Sequence, residues 1–244
     1  MNEFTNMTLA QIVSKNHRAA SIFEKYHLDF CCKGKRSLQE ACDEQSLSFN
    51  EVSKELETTF LQNEKRDLDF EKMSLSSLSE YIIAKHHEYV KGELPLIYGY
   101  LEKVSDKHGN RHPELHKIFQ TFAAVKEEME SHMKKEEVIL FPRIKELENL
   151  ADKKISVPVN INYYQSPIHV MEQEHDHAGS LLNEIRLLTS NYNPPADACT
   201  TYRLSFASLK NFEQDLHQHV HLENNILFPR TILLFMDLTS PSLN

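Results

Sequence analysis

The sequence predicts an all-α protein, a small helical N-terminal domain followed by an up-down-up-down four-helix bundle. Three observations carry this. The 244 residues include only 5 glycines and 9 prolines, about half the usual share of roughly 12%, so tight turns are few and a sandwich or barrel of many short strands is disfavoured. From about residue 77 onward, four long stretches place apolar residues at the 3.6-residue helical period. The second and fourth of these stretches also repeat one motif, which makes the bundle two related hairpins.

The elements follow in order. Thr8 caps a first short helix carrying Leu9, Ile12 and Val13, and Ala19, Ile22, Phe23 and Tyr26 continue at helical spacing. The string Asp29-Phe30-Cys31-Cys32-Lys33-Gly34 breaks the pattern, and Ser37 and Ser48 stand where two further helices want N-caps. These residues form the small domain, residues 1–62. A polar, charged segment, residues 63–76, reads as a linker, and the bundle spans residues 77–244. Its first helix runs from about Ser77 to Lys107. The second starts at Pro113, a favoured first helical position, and reaches about Leu150. The third begins near Ser166-Pro167 and ends before Asn191, and the fourth runs from about Ala196 to Met236. Connections are short apart from Asp152 to Gln165, as up-down bundles require.

Charge and cysteine usage narrow the function. With 36 acidic against 27 basic residues, a net charge of −9, the chain has no bulk attraction to nucleic acid or anionic lipid, and both are excluded as primary partners. No run of 18 apolar residues offers a spanning helix, and the first ten residues lack a basic-then-apolar signal pattern. Four cysteines, two adjacent, are too few for a secreted disulfide scaffold. A cytoplasmic protein is expected. The outlying number is 14 histidines, since histidine is the commonest metal-ligating side chain.

Their placement is ordered. His132, Glu136, Ile139, Leu140, Phe141, Pro142 and Arg143 align without a gap with His219, Glu223, Ile226, Leu227, Phe228, Pro229 and Arg230. Upstream, His87 and His175 hold matching positions on the first helix of each half. Residues i and i+4 lie on one helix face about a turn apart, so His132 with Glu136, and His219 with Glu223, can grip one ion. Alone, one such pair is usually a solvated charged face. Repetition of the ligand set together with the packing set argues for metal. Four imidazoles and two carboxylates suit iron or manganese, whereas structural zinc wants thiolates. Three protein ligands per half leave each ion an open position.

Other residues compete or assist. His86 is the alternative ligand on the first helix. His217 and His221 are expected to face solvent, and His177 to be exposed or to support a ligand from outside. His17, His27, His108, His112, His116 and His169 are assigned to surface or helix-end positions. Glu128 and Asp215, one turn before His132 and His219, are candidates to hydrogen-bond the ligands, and Glu174 is a weaker one.

The pattern H…H-x3-E…H…H-x3-E with Ile-Leu-Phe-Pro tails resembles the hemerythrin-like (HHE) domains. Together with Glu172-Gln-Glu-His-Asp-His-Ala-Gly179, Leu222-Glu-Asn-Asn-Ile-Leu-Phe-Pro229 and Asp29-Phe-Cys-Cys-Lys-Gly34, it resembles the repair-of-iron-centres family across essentially the whole chain. The resemblance implies a hemerythrin-like bundle holding two non-haem irons, ligated by His87, His132 and Glu136 from one half and His175, His219 and Glu223 from the other. It further implies that the two glutamates bridge the irons with an oxo or hydroxo group. Oxygen-carrying hemerythrins have a further histidine one turn after the third-helix ligand, where this chain has Gly179, and they end with an aspartate spaced differently from Glu223. That departure argues against oxygen carriage and for a more labile centre.

The function so implied is repair of iron–sulfur clusters damaged by nitrosative or oxidative stress, by donation of iron, with damaged iron–sulfur proteins as partners. Alternatives are a nitric oxide or oxygen-species reductase at the di-iron site, or a di-iron sensor. Cys31 and Cys32 read either as a buried apolar pair or as reactive thiols, since Lys33, Lys35 and Arg36 would favour the thiolate. The resemblance favours the second, with redox activity or transient iron ligation. Cys42 and Cys199 are given no role. A homodimer is expected, because such short N-terminal helices could hardly bury a core alone.

Overall fold

A computed structural model describes residues 3–61, 68–155 and 160–239. All regular structure among them is helical, apart from one isolated bridge between Thr8 and Ser37. The chain forms two compact units, one of Met1–Ser74 with His217–Arg230 and one of Leu75–Leu216 with Thr231–Asn244. No described helix is long and apolar enough to cross a membrane.

The first unit contains four helices, α1 (Leu9–Lys15), α2 (Ala19–Lys25), α3 (Leu38–Glu44) and α4 (Phe49–Leu61). The expected caps are present. Thr8 and Gln11 form a reciprocal capping box at α1, Ser37 and Glu40 another at α3, and the Ser48 hydroxyl accepts from the Glu51 N–H at 3.4 Å. The thiol loop returns the chain to α1, where the N–H groups of Ala10 and Leu9 bond the carbonyls of Gly34 and Arg36. A Cβ at Gly34 would lie 2.2 Å from the Phe30 carbonyl oxygen, so only glycine fits there. Leu9, Ile12, Phe23, Phe30, Leu38 and Leu56 are buried. Inside this unit Phe30 meets Phe23 and the rings of His217 and His221 at 5.8–6.2 Å. The segment His217–Arg230 thus adds apolar surface to the four short helices of this unit.

Beyond α4 the described chain continues in four long helices, three interrupted by a π turn; the second unit holds the first three and both ends of the fourth, whose residues 217–230 belong to the first unit. The first is α5 (Leu75–Ile82), the π turn Ile83–His87 and α6 (Glu88–His108). The second is α7 (Glu114–Lys135), the π turn Glu136–Leu140 and α8 (Phe141–Asp152). The third is the uninterrupted α9 (Asn162–Leu188), and the fourth is α10 (Thr200–Leu222), the π turn Glu223–Leu227 and α11 (Phe228–Thr239). Contacts within the unit fix the topology. Glu148 near the end of the second helix accepts the N–H groups of Leu75 and Ser76 at 2.6 and 3.0 Å, capping the start of the first. Thr121 meets Glu184, Tyr164 meets Phe235, and Tyr202 and Asp215 meet His108 and His86, so each neighbour runs antiparallel. This is the expected up-down-up-down order.

Helix limits differ from expectation where a local partner overrides the sequence signal. Pro113 is the N-cap of α7 rather than its first helical residue. The third helix starts at Asn162, with Pro167 inside it. Pro167 has no N–H for the Tyr163 carbonyl one turn back, and Arg143 donates to that oxygen at 3.0 Å instead. The fourth helix starts at Thr200 because Arg203 holds the carbonyls of Ala196 and Ala198 in a loop. Of the linker and the Asp152–Gln165 connection, residues 62–67 and 156–159 lie outside the described residues.

The π turns have a packing reason. Buried side chains recur every four residues at His132, Glu136, Leu140 and Ile144. On an α-helix each step of four overshoots a full turn by about 40°, so such a stripe would wander off the core. The wider turn, closed by the Phe141 N–H on the Glu136 carbonyl, takes up the overshoot. Pro142 and Pro229 follow immediately, where a ring without N–H would crowd a regular helix. The repeated Ile-Leu-Phe-Pro tail is the sequence form of that local widening.

Candidate metal centre

Four of the expected ligands meet in the bundle unit. The π turn ending at His87 turns that residue inward, α7 delivers His132 one turn before Glu136, and α9 supplies His175. All four are buried to 2% exposure or less. His87 Nε2 and His132 Nε2 lie 3.4 and 3.3 Å from the same Glu136 oxygen, Oε2. His175 Nε2 lies 3.0 Å from His132 Nε2. In the other unit, His219 Nε2 lies 3.0 Å from Glu223 Oε1, both residues fully buried.

The surrounding carboxylates decide what these nitrogens can do. Glu137 faces His87 Nδ1 at 2.7 Å, and Glu174 faces His132 Nδ1 at 2.9 Å. A carboxylate at Nδ1 holds the proton there and leaves Nε2 with its lone pair inward. Two lone pairs then point at a buried carboxylate, an arrangement stabilised by a cation among them. The 3.0 Å between His132 and His175 Nε2 is the edge of an octahedron with bonds of ~2.1 Å. The donor set therefore fits a hard-to-borderline metal ion. The His132 hydrogen bond, with help from Lys135, pulls the Glu174 carboxyl down to about 2 against the opposing effect of its burial. Burial would raise Glu137, but bonds from Lys91 and His87 outweigh it and leave its carboxyl below the ordinary range.

Several expectations are corrected. Glu128 does not support His132; it takes His177 Nε2 at 3.0 Å on the rim of a cleft of about 310 Å³ that also includes Lys135, Gln173 and Glu174. The reason is direction, since His132 Nδ1 points across to α9 and Glu128 lies along its own helix. Asp215 pairs with buried His86 at 3.1 Å, which occupies both residues. His217 and His221 do not face solvent: His217 bonds Glu24 at 2.5 Å, and His221 is 3% exposed, its burial pushing the imidazole down to about 4. Glu137 was not singled out, because its counterpart in the repeat is Asn224 and comparing the halves hides it.

The thiols also depart from expectation. Asp29 Oδ1 accepts the N–H groups of Cys31, Cys32 and Lys33 at 3.0–3.3 Å, and the Cys31 thiol at 3.3 Å. The hydrogen bond with Cys32, burial and the Asp29 charge push the Cys31 thiol up, opposite to the thiolate that Lys33, Lys35 and Arg36 suggested. Arg36 is engaged by Glu44 instead. Cys42 is buried, and Cys199 Sγ lies 3.3 Å from His108 Nε2.

Residues 79–231, which include all six expected ligands, match the hemerythrin HHE cation binding domain, and residues 5–59 match ScdA_N, a domain of unknown function. The chain is 36% identical over 232 residues to a probable iron-sulfur cluster repair protein of Haemophilus influenzae, covering 94% of this chain and 98% of that one. It is 34% identical to the iron-sulfur cluster repair protein YtfE of an Enterobacter species and 33% identical to that of Yersinia pseudotuberculosis, with the same coverage.

Proposed function

This chain belongs to the hemerythrin HHE cation-binding family, among its iron–sulfur cluster repair members, and on that premise we propose that it restores clusters damaged by nitrosative or oxidative stress by giving up iron. The observation that carries the reading is the convergence of His87 and His132 on Glu136, with Glu137 and Glu174 fixing their protons on the far side. In this reading each chain holds two non-haem irons. His87, His132 and Glu136 serve from one half and His175, His219 and Glu223 from the other. Glu136 and Glu223 bridge, with an oxo or hydroxo group alongside. Iron held there is the cargo of the repair.

The chain's own residues make release feasible. When an ion leaves, His132 and His175 Nε2, at 3.0 Å, can share one proton between them, which offsets the repulsion of bare lone pairs. Glu174 stays charged and bound to Lys135, so the empty state keeps its geometry for reloading. With three protein ligands on each ion, a recipient's sulfide or thiolate has a position to attack.

The test is reactivation of a nitric-oxide-damaged iron–sulfur enzyme by the iron-loaded protein, following iron in donor and recipient. Wild type is expected to restore activity with matching loss of its own iron, and His132→Leu and Glu223→Leu to restore little. Equal restoration by the variants would overturn the reading. Sustained consumption of nitric oxide with a reductant and no iron loss would replace it with the reductase alternative.

A further inference from the structure

The loop between α2 and α3 places three donor side chains in one cluster, Asp29, Cys31 and Cys32, whose ligand atoms all lie within 4.8 Å of one another. Cys31 Sγ and Cys32 Sγ are 3.8 Å apart, and Cys31 Sγ is 3.3 Å from Asp29 Oδ1. Without a cation these spacings are those of S–H···S and S–H···O hydrogen bonds, and they also match what a shared cation needs. A tetrahedral ion with metal–sulfur bonds of ~2.3 Å separates two thiolates by about 3.8 Å, and a carboxylate at ~2.0–2.2 Å sits about 3.5 Å from each sulfur. We propose that Asp29, Cys31 and Cys32 form three corners of a tetrahedral site for a thiophilic divalent cation, separate from the histidine-rich centre and independent of the cluster-repair reading.

The loop is built to hold this arrangement. Asp29 is fixed by three backbone N–H groups, and the carbonyls of Phe30 and Cys31 are both taken by Asn225 Nδ2, at 3.4 and 3.0 Å within the same unit. Gly34 closes the loop where a side chain would strike the Phe30 carbonyl. Cys31 is buried while Asp29 and Cys32 are partly exposed, so the cation enters from the solvent side and the fourth corner falls to an outside ligand. Binding involves no oxidation. Two thiol protons leave to solvent, the two sulfurs each donate an electron pair to the cation, and the carboxylate supplies the third bond. A site with three protein donors and one exchangeable corner is suited to passing a cation to an acceptor thiol.

The test is titration of the reduced full-length chain with cobalt(II), reading the near-ultraviolet sulfur-to-cobalt charge-transfer absorption. The histidine and carboxylate centre has no sulfur donor, so its loading or failure leaves this signal unaffected. The expected result is saturation at one thiolate-bound cobalt per chain, release of about two protons, and displacement by zinc(II). Cys31→Ser and Cys32→Ser should each cut the absorption to half or less, and the double variant should abolish it. Asp29→Asn keeps the oxygen that accepts the three N–H groups, so the loop folds, and it should weaken binding by about tenfold or more. Absence of the absorption in the reduced protein, or its undiminished intensity in either serine variant, overturns the site. Unchanged affinity in Asp29→Asn overturns the role of the carboxylate.

Discussion

Single atoms on the outer side of two imidazoles distinguish this centre from a buried cluster of histidines. Glu174 and Glu137 hold Nδ1 of His132 and His87, which directs the lone pairs inward. Glu174→Gln keeps an acceptor for the Nδ1 proton but removes the charge that opposes its loss. We expect loss of iron to a ferrous chelator to accelerate by about 10- to 100-fold. Glu128→Gln, on the cleft rim with His177, should release iron at the wild-type rate. Equal rates in the two variants would mean that Glu174 serves only its ion pair with Lys135. The sequence made the candidate ligands legible because they repeat, and it pointed to Glu128 and missed Glu137 for the same reason. Repetition reports what both halves need, whereas Glu137, in the π turn after α7, and Glu174, on α9, stand opposite Asn224 and His86 in the repeat. Glu174 stood out only as a neighbour of His175, and its partner proved to be His132.

At the scale of the helix, the four-helix pattern was legible but its three π turns were not. Period reading averages over several turns, and one extra residue in a turn of five leaves that average nearly unchanged. The one readable sign was proline at equal distances after Glu136 and Glu223; the turn Ile83–His87 has no such mark. The turn consists in effect of one residue inserted into an α-helix, so deleting a solvent-facing residue from it should restore the regular helix. Val138 is 66% exposed and contributes little to the core. Its deletion rotates Phe141, Ile144 and Leu147 by about 100° relative to His132 and Glu136. Either the ligands or the apolar stripe must then face outward. We expect iron content after ferrous loading to fall to half or less with helicity retained, while Val138→Ser retains wild-type iron. Full iron binding in the deletion variant would show that the π turn is incidental to the centre.

At the scale of the whole chain, one compact unit joins the N-terminal helices to the segment that carries His219 and Glu223. Sequence reading could not anticipate this, because the segments are far apart along the chain and His217 and His221 looked like surface histidines. Their burial follows from Phe30, whose ring meets both, and from Asn225, which reaches the loop carbonyls from the π turn that begins at Glu223. A cation on Glu223 fixes the start of that turn, and the turn fixes the backbone of Cys31. Iron loading is therefore expected to slow alkylation of Cys32 by about fivefold, the lower end of ordinary coupling between sites. Asn225→Ala removes the donor to both carbonyls, so it should speed alkylation of the iron-free protein and abolish the difference between loaded and unloaded forms. Iron content should stay unchanged, since Asn225 contacts no ligand side chain in its own unit except through the backbone. If iron loading leaves Cys32 reactivity unaltered in wild type, the loop and the cation site work independently despite the Asn225 bonds to the loop carbonyls. If the difference survives in Asn225→Ala, the coupling runs through Phe30 and the two histidines it touches.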